Sequence, residues 1–430
     1  MSGWIGADEA ARRLSVKPAT LYAYVSRGVL TRRKSDDGRS VFDPAEVERL
    51  VRRGRPRQNP AGSEVVIESA VTLLGDDRHF YRGLDATQLA DTWQLEQVAA
   101  WIWTGSPPWG DGARSDGTRG DGTRSDGQAP ALASEPSPAT LSASAWSGAW
   151  RAEAGAVAAA RAAQEALPGE VLPLERLQVI VTVLGAVDPV RLAPEPAAVM
   201  SMGQSLIAGM IGALPGPDVE GAIAQRLWAK FAGPRADPAL ADVLRYALVL
   251  LADHELAAST LAVRVAASVR ADPYAVVTAG LGVTSGALHG GASLGAEAML
   301  AEAADPAGAA FVMGQRLRQG ERIPGFGHFV YRSGDARAAG LLARIRRAVP
   351  EHPRLAVAEA MLAEAGRRRL PPVNVDFALG LLTSLAGMPR GAGEAVFGIA
   401  RTVGWLAHAM EEYAQPTKLR LRAAYTGPLA

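Results

Sequence analysis

The 430-residue sequence contains no cysteine, which excludes a disulfide framework, a cysteine nucleophile and cysteine ligands to a metal. It has no uninterrupted apolar run of the roughly 18 residues that a membrane helix needs. The N-terminus lacks a long apolar core, so no signal peptide is expected. These absences favour a soluble protein of the reducing cytoplasm, and the length allows two or three domains with a large core.

Charge is distributed unevenly along the chain. Residues 1–60 hold 13 Lys and Arg against 7 Asp and Glu, whereas the remainder holds 32 against 37. A basic head on an acidic body is typical of a nucleic-acid contact at the head. A solvated basic surface has the same composition, so charge alone leaves both interpretations open.

The first 57 residues have the pattern of a winged helix-turn-helix. Asp8 can cap a helix over ADEAARRL, and after a tight turn Pro18 starts a second helix that stops at Gly28. Next come two short runs around Asp37-Gly38, which is a strong hairpin signal. Pro44 then opens a third helix.

This head resembles the DNA-binding domains of the MerR and excisionase families. In those families the second helix enters the major groove, and the hairpin lies near the phosphates. The resemblance implies DNA contacts from the helix residues Ala19, Thr20, Tyr22 and Tyr24 and from the hairpin residues Arg32, Arg33, Lys34 and Arg39. The alternative is a small docking module that never meets DNA.

The remainder of the chain is predicted to be a short linker and one long helical domain. A Pro-rich polar linker is predicted at 58–63, followed by a domain over 64–430. Within it, residues 105–138 repeat Asp-Gly and Thr-Arg units with little to bury, which predicts a disordered surface insertion. Beyond the insertion, apolar residues recur at i, i+3, i+4 and i+7, which predicts an all-α body. Several helices are apolar nearly all round, which indicates deep burial in a bundle or a subunit interface.

Three of the six histidines lie in short segments that are rich in glycine or in charged residues. His254 stands in ADHELAAST, His289 in SGALHGGAS and His328 in IPGFGHFVYRSGDAR. No HExxH pair and no GxSxG elbow occurs, which argues against a zinc hydrolase and a serine hydrolase. Glycine beside histidine lets backbone amides and the ring approach a ligand closely, which suits anion and carbonyl recognition.

Six motifs follow one another along the body: ADHEL-AST, LHGG, PGFGH-VYR-DAR, NVDF, IARTVGWLAH and RAAYTGP. In this order they resemble the citrate synthase family, over roughly residues 64–428 without the insertion. The resemblance implies an all-α homodimer with a large domain and a small domain, the small one at about 289–387. It also implies no metal and no cofactor, with acetyl-CoA bound as a substrate.

The resemblance assigns a catalytic trio of His289, His328 and Asp376. Asp376 would take a proton from the methyl carbon of acetyl-CoA while His289 donates a hydrogen bond to the thioester oxygen. His328 would polarise the ketone of oxaloacetate, so that the enol attacks its carbon. Hydrolysis of the resulting citryl-CoA completes the condensation that opens the tricarboxylic acid cycle.

Substrate binding is assigned in the same way. Oxaloacetate is a dianion, and arginine offers its carboxylates planar, permanently charged donors. The resemblance assigns oxaloacetate to His254, Arg337, Arg401 and Arg420, with Arg420 reaching in from the partner subunit. It assigns CoA to the backbone of Ile323, Pro324, Gly325, Phe326 and Gly327 and, more loosely, to Arg368.

The sequence leaves several points open. Ala257 and Ser293 stand where the family commonly has asparagine, so affinity or substrate choice can differ. His79 and His352 are expected at the surface, and His408 is assigned no chemistry. A 2-methylcitrate synthase would differ by one methylene in the acyl pocket, worth about 1–3 kcal/mol. Two further alternatives are a DNA-binding metabolite sensor, against which the intact trio argues, and an active enzyme whose head serves only assembly.

Overall fold

The computed structural model describes residues 4–14, 21, 25, 30–35, 38, 40–44, 46–47, 67–105, 149–287, 289–416 and 418–420. The chain divides into two compact units, Met1–Glu68 and Ser69–Ala430. Several predictions lie outside the described residues: Ala19, Thr20, Tyr22, Tyr24 and Arg39, the linker at 58–63, and the insertion beyond Gly105. The predicted small domain at 289–387 stays a prediction.

The described part of the first unit contains one continuous short helix and a small antiparallel sheet, and residues 21, 25, 44, 46 and 47 are also helical. Helix α1 spans Ala7–Leu14, and the strands β1 (Ile5–Gly6), β2 (Arg32–Lys34) and β3 (Ser40–Phe42) have the order β1-β3-β2. The hairpin predicted around Gly38 is confirmed, because Arg33 pairs with Val41 and Gly38 has a φ of 78°. Helix α1 begins before Asp8, so Asp8 lies in its first turn and is not the cap.

A second small sheet opens the Ser69–Ala430 unit. Its strands are β4 (Thr72–Leu74), β5 (His79–Tyr81) and β6 (Leu84–Asp85), in the order β4-β5-β6. Strands of two or three residues are too short to show a period, so the sequence does not predict this sheet. His79 and Tyr81 are buried and Phe80 between them is not, because successive side chains of a strand point to opposite faces.

The rest of the described part of this unit is mainly helical, as predicted. Its α-helices in the described residues are α2 (Ala86–Thr92), α3 (Leu95–Thr104), α4 (Ala154–Glu165), α5 (Pro173–Val187), α6 (Pro196–Ala213), α7 (Ile223–Phe231), α8 (Leu240–Leu251), α9 (Ala258–Ser268), α10 (Pro273–Thr284), α11 (Gly291–Glu302), α12 (Ala309–Arg318), α13 (Ala336–Ala348), α14 (Pro353–Arg367), α15 (Val375–Leu385) and α16 (Ala392–Tyr413). A 3₁₀ turn at Pro306–Gly308 precedes α12.

Helix α16 is the centre of the body. It packs against α3, α5, α6, α8, α9 and α10, and every residue except Glu411 is buried. Glycines allow the close approach: a Cβ on Gly280 of α10 would lie 2.7 Å from the Trp405 ring. The helices that are apolar all round are therefore core helices, as their sequences indicate.

The site depends on where helix α15 begins. Helix α15 packs against α11 and α13, and α13 packs against α8. These contacts bring the first turn of α15 close to the turn that follows α8, although more than a hundred residues separate them in sequence.

One described helix, α6, is long and apolar enough to cross a membrane by length and composition. A core helix meets the same two criteria, and 61% of α6 is buried inside the body.

Candidate active site

The turn that follows helix α8 presents a buried histidine to a cluster of rings. The ring of His254 lies 5.6 Å from that of His79, 5.5 Å from that of His328 and 5.3 Å from that of Tyr331. Its Nε2 is 2.8 Å from the Tyr331 hydroxyl. Burial lowers the pKa of His254 well below 6.5, so the ring is neutral at neutral pH. Glu255 ends the turn with a φ of 52°, a left-handed conformation that is uncommon outside glycine.

The hydrogen bonds around His328 fix its tautomer. Its Nδ1 accepts from the backbone N–H groups of Val330 and Tyr331, at 3.1 and 3.2 Å. Burial, followed by the charge of Arg337, lowers the pKa of His328 to about 4, so the ring is neutral. Its single proton therefore lies on Nε2, where the nearest group is another donor, the Arg337 guanidinium at 3.2 Å. Two donors face the same space, which suits a carbonyl or carboxylate oxygen.

Arg337 is held in a buried ion pair. Its Nε and Nη2 donate to the two oxygens of Asp335 at 2.9 and 3.0 Å, and both residues are almost fully buried. The same carboxylate accepts from the backbone N–H of Val375 at 3.0 Å. Asp335 thus ties the arginine to the first turn of helix α15, and its role was missed in the sequence, although it belongs to the GDAR stretch.

Asp376 lies in that first turn. Asn374 caps the helix by accepting from the Asp376 N–H at 3.0 Å, and its side-chain amide donates to the Gly327 carbonyl at 2.8 Å. Burial raises the pKa of Asp376 to about 7, although Arg337 acts to lower it. A carboxylate with a pKa near neutrality is a stronger base than an ordinary aspartate, which is what proton abstraction from carbon requires.

The glycines of the loop at 323–327 are required by its contact with helix α15. Gly325 and Gly327 have φ of 81° and 84°, and a Cβ on Gly325 would lie 2.6 Å from the Cβ of Phe377. The Asn374 N–H donates to the Gly325 carbonyl, and the Gly327 N–H donates to the Pro372 carbonyl. The loop is therefore fixed against the segment that carries Asp376, with the ring of Phe326 5.3 Å from that of Phe377.

His289 follows helix α10 and is half-buried. Its Nε2 lies 2.8 Å from the hydroxyl of Ser259, a fully buried residue on helix α9 that sequence reasoning did not single out. Its ring meets the edge of Phe397 at 5.8 Å. Burial, followed by the charge of Arg401, lowers the pKa of His289 to about 4, so this ring is also neutral.

Arg401 is a buried cation without an ion-pair partner among the described residues. It is 1% exposed, its Nε donates to the Leu251 carbonyl at 2.9 Å, and its guanidinium lies 4.5 Å from the centre of the Phe397 ring. In the described part of the chain no acceptor meets its two terminal amino groups. Burial lowers its pKa to about 10, and a charge held at this cost is typical of an anion site.

A second buried network lies behind these residues. Asp253 accepts from the Thr72 hydroxyl at 2.5 Å and contacts His408 Nε2 at 3.3 Å. The other ring nitrogen of His408 lies 3.2 Å from Arg264. His79 is fully buried, so the expectation of a surface position was wrong. His352 is half-buried and caps helix α14.

Two of the predicted binding residues are not brought to this cluster. Arg368 ends helix α14, where it pairs with Glu364 at 2.5 Å and donates to the Ala310 carbonyl. Arg420 is exposed and has no contact with the trio of its own chain in the described residues. Both assignments stay predictions.

The fold and the site define a class of protein. The body is all-helical, and its site combines neutral histidines, a carboxylate of raised pKa and buried arginines, which together suit an enzyme that moves protons on a carbonyl-bearing anion. No group of three or more potential metal ligands occurs within the described ranges.

The chain belongs to the citrate synthase family: residues 62–422 match the family model described as citrate synthase, C-terminal domain. Citrate synthase 2 of Bacillus subtilis is 30% identical over 275 residues, which cover 60% of this chain and 73% of that protein. The 2-methylcitrate synthase 1 of Corynebacterium glutamicum is 32% identical over 286 residues, covering 61% and 74%. Residues 7–52 match the model of the MerR HTH family regulatory proteins.

Solved structures show the same fold. A ternary complex of citrate synthase from Thermoplasma acidophilum with carboxymethyl coenzyme A and oxaloacetate matches with a TM-score of 0.66 and 22% identity, covering 86% of this chain and 96% of that one. Citrate synthase from Pyrobaculum aerophilum matches with a TM-score of 0.64 and 24% identity, covering 93% and 95%. The all-α citrate synthase-like fold expected from the motifs is thereby confirmed.

Proposed function

We propose that this enzyme condenses acetyl-CoA with oxaloacetate and water to give citrate and CoA. The observation that carries the proposal is the junction at Asp335, which joins the Arg337 guanidinium to the helix turn that bears Asp376. The Asp335 carboxylate thus holds both an anion-binding arginine and the helix turn that carries the base for the α-proton. The substrates named for the Thermoplasma acidophilum complex support this choice.

The acyl-CoA half of the site consists of a base and an oxygen-binding donor. Asp376 takes the α-proton of the thioester, which its raised pKa favours. The Ser259 hydroxyl lies 2.8 Å from Nε2 of His289. In this proposal it donates to that nitrogen, so that the ring proton lies on Nδ1 and is donated to the thioester oxygen. That bond grows stronger as the oxygen gains charge, so it stabilises the enolate more than the bound thioester.

The oxaloacetate half consists of His254, His328, Arg337 and Arg401. The Nε2 proton of His328 has no acceptor among the described residues, and the ketone oxygen of oxaloacetate supplies one. Hydrogen bonding there withdraws charge from the ketone carbon, which the enol then attacks. Arg337 and Arg401 bind the two carboxylates, and water cleaves the thioester of the citryl-CoA intermediate to release CoA and citrate.

The backbone of residues 323–327 holds CoA beside Asp376 in this proposal, and Arg368 is assigned to its phosphates. Relatives named citrate synthase and 2-methylcitrate synthase match about equally well, so propionyl-CoA is the second candidate substrate. The soluble substrates and the cysteine-free sequence support a cytoplasmic location.

A thiol-release assay tests the proposal directly. Purified protein is given oxaloacetate with acetyl-CoA or with propionyl-CoA in parallel, and free CoA thiol is measured. We expect oxaloacetate-dependent thiol release with acetyl-CoA, at a kcat/KM at least several times that for propionyl-CoA, since one methylene changes binding by about 1–3 kcal/mol. A reversed preference assigns the 2-methylcitrate reaction, and no release with either thioester contradicts the proposal.

We also propose that the enzyme is a homodimer. Leu261 and Val265 of helix α9 and Val269, the residue that follows it, form one stripe at spacings of four residues, and these side chains are 41%, 47% and 58% exposed. The opposite side of the same helix carries the buried Ser259. A second copy of the chain packed on this stripe would bury apolar area and lie close to the site.

Charge balance supports a contribution from that second copy. Asp335 pairs with Arg337, whereas Arg401 has no ion pair among the described residues. A single chain therefore offers a dianionic substrate one unpaired arginine. Arg420 of the partner, from the exposed C-terminal segment, would supply a second.

The head is proposed to bind DNA. Its match to the MerR family and its exposed strand β2, which consists of Arg32, Arg33 and Lys34, support this function. The guanidinium of Arg33 lies 4.7 Å from the centre of the Trp4 ring, which orients it at the surface. A head that serves only assembly and a metabolite-sensing regulator remain the alternatives.

Salt-dependent binding separates DNA recognition from a head that serves only assembly, and thiol release separates the enzyme from a DNA-binding metabolite sensor. The full-length protein should bind duplex DNA at low ionic strength, with an affinity that falls as salt rises, because binding displaces cations from the phosphates. Replacing Arg32 and Lys34 with alanine should reduce the slope of log K against log salt by about 0.9 for each phosphate that is no longer neutralised. Arg12→Ala is the matched control, since Arg12 is exposed but paired with Glu9. Thiol release should be unchanged in all variants and in a deletion of residues 1–57. Absence of salt-dependent binding would contradict the DNA function.

A further inference from the structure

Strand β5 carries a buried histidine that the mechanism above does not use. His79 is 0% exposed, and its Nε2 lies 3.0 Å from the Tyr81 hydroxyl. Its Nδ1 has no hydrogen-bond partner among the described residues. Burial lowers the pKa of His79 to about 3, so protonation does not supply the missing bond at neutral pH. A buried acceptor without a donor destabilises the folded protein, and a leucine in this place would not have that defect. A buried polar group that destabilises the fold in this way is typical of a functional residue.

The hydroxyl of Tyr81 determines which nitrogen of His79 carries the proton. That hydroxyl lies 2.9 and 3.0 Å from the carbonyl oxygens of Val249 and Leu250, at the end of helix α8. It also accepts from the Asp253 N–H at 3.3 Å. Since its single proton goes to the carbonyls, His79 must donate to the oxygen from Nε2. The two hydrogen-bonded side chains therefore hold the turn that follows helix α8 together.

That turn builds the oxaloacetate half of the site. The Leu251 carbonyl at the end of helix α8 accepts a hydrogen bond from Nε of Arg401 at 2.9 Å. His254 lies in the turn itself, two residues after Ala252. The ring of His79 also meets the edge of the His254 ring, with an angle of 62° between the planes. A shift of the turn would thus move an arginine and a histidine of the pocket together. His289 and Asp376 are positioned by other elements.

We propose that His79 is a positioning residue of the oxaloacetate pocket, which holds the turn after helix α8 in place by donating to Tyr81. It does not touch the substrate, and the protein retains it at the expense of stability. This inference rests on the proposed function. It concerns oxaloacetate affinity, and neither acyl-CoA affinity nor the chemical step.

Three substitutions of His79 in the full-length protein separate its ring from its N–H group. His79→Leu removes both, His79→Phe keeps a ring, and His79→Gln keeps an N–H donor at a similar reach. We expect His79→Leu and His79→Phe to raise the KM for oxaloacetate about fivefold to tenfold, the usual effect of one buried hydrogen bond. The KM for acetyl-CoA and kcat should stay within about twofold. His79→Gln should restore most of the oxaloacetate affinity.

Thermal unfolding distinguishes positioning from ordinary core packing. The Tm of His79→Leu should equal or exceed that of the wild type, because the acceptor without a donor is gone. A residue that merely packs would instead lower Tm and affect both substrates alike, which would overturn the inference. An unchanged KM for oxaloacetate in an active His79→Leu protein would also overturn it. If the wild type itself neither binds oxaloacetate nor releases thiol, the proposed function fails, and the inference fails with it.

Discussion

Asp376→Ala is expected to lower kcat by about 10²–10⁴-fold, the usual effect of removing a general base. The carboxylate lies at the start of helix α15, where burial raises its pKa to about 7. The affinity for CoA should change little, because the loop at 323–327 is held by Asn374 and not by the Asp376 carboxylate. Thiol release and CoA titration measure the two quantities. Glu351→Ala, which removes an exposed carboxylate elsewhere, is the control and should be fully active.

The pH profile of the wild type gives a second measurement. The base must be deprotonated to act, so kcat/KM should rise with pH through about 7 and then level off. Asp376→Ala should lose this rise along with its activity. An Asp376→Ala protein with wild-type turnover, or a wild-type profile that is flat from pH 5 to pH 8, would remove Asp376 from the mechanism.

Stability should change in the opposite direction to activity. The pKa of Asp376 in the folded chain, about 7, lies above its usual value of 3.8. A raised pKa means that this group's contribution to stability is fully present below the unfolded pKa and is lost as pH rises through the folded pKa. Asp376→Asn, which cannot ionise, should therefore have a higher Tm than the wild type at pH 8 and a similar Tm near pH 4. A lower Tm at pH 8 would show that the ionised carboxylate is a structural group.

Arg420→Ala and Asp376→Ala dimers are each expected to be nearly inactive, whereas a heterodimer of the two should recover up to about half of the wild-type activity. One of its sites combines Asp376 of the first chain with Arg420 of the second and is complete. The other site lacks both residues. The physical reason is the charge balance described above, in which Arg337 is paired with Asp335 and Arg401 alone is left unpaired for the dianionic substrate.

The heterodimer is prepared by co-expression with two different tags and sequential purification, and its thiol release is compared with that of both parents. If Arg420 served the site of its own chain, each heterodimer site would lack one residue and no activity would return. Lys418→Ala is the matched control, since Lys418 is exposed on the same segment and is assigned no role. It should be active alone as a homodimer.

Much of the fold and of the site could be predicted from the sequence. The helical periods of the body, the largely apolar sequence of α16 and the hairpin at Gly38 are local properties, because each depends on residue types and spacing within one segment. The motifs around His254, His289, His328, Asp376 and Arg401 are also local, and glycine beside histidine indicated close backbone approach before any contact was known. The family follows from the order of these motifs and is shown by the match over residues 62–422.

Other features depend on contacts between distant segments. Strands β4 to β6 are too short to show a period, so the burial of His79 became visible only once β5 lay against the end of helix α8. Asp335 and Ser259 are ordinary residues in sequence. Their importance comes from hydrogen bonds to Val375 and His289, which lie 40 and 30 residues away.

The helical class, the family and the identity of the chemical groups all follow from the amino-acid sequence, because residue types and short-range spacing are sufficient for each of these. The protonation states and orientations of those groups follow only from the three-dimensional packing. The neutral form of His328, the raised pKa of Asp376 and the buried charge of Arg401 all result from burial beside specific neighbours. Burial is produced by the packing of elements far apart in the chain, so no local pattern records it.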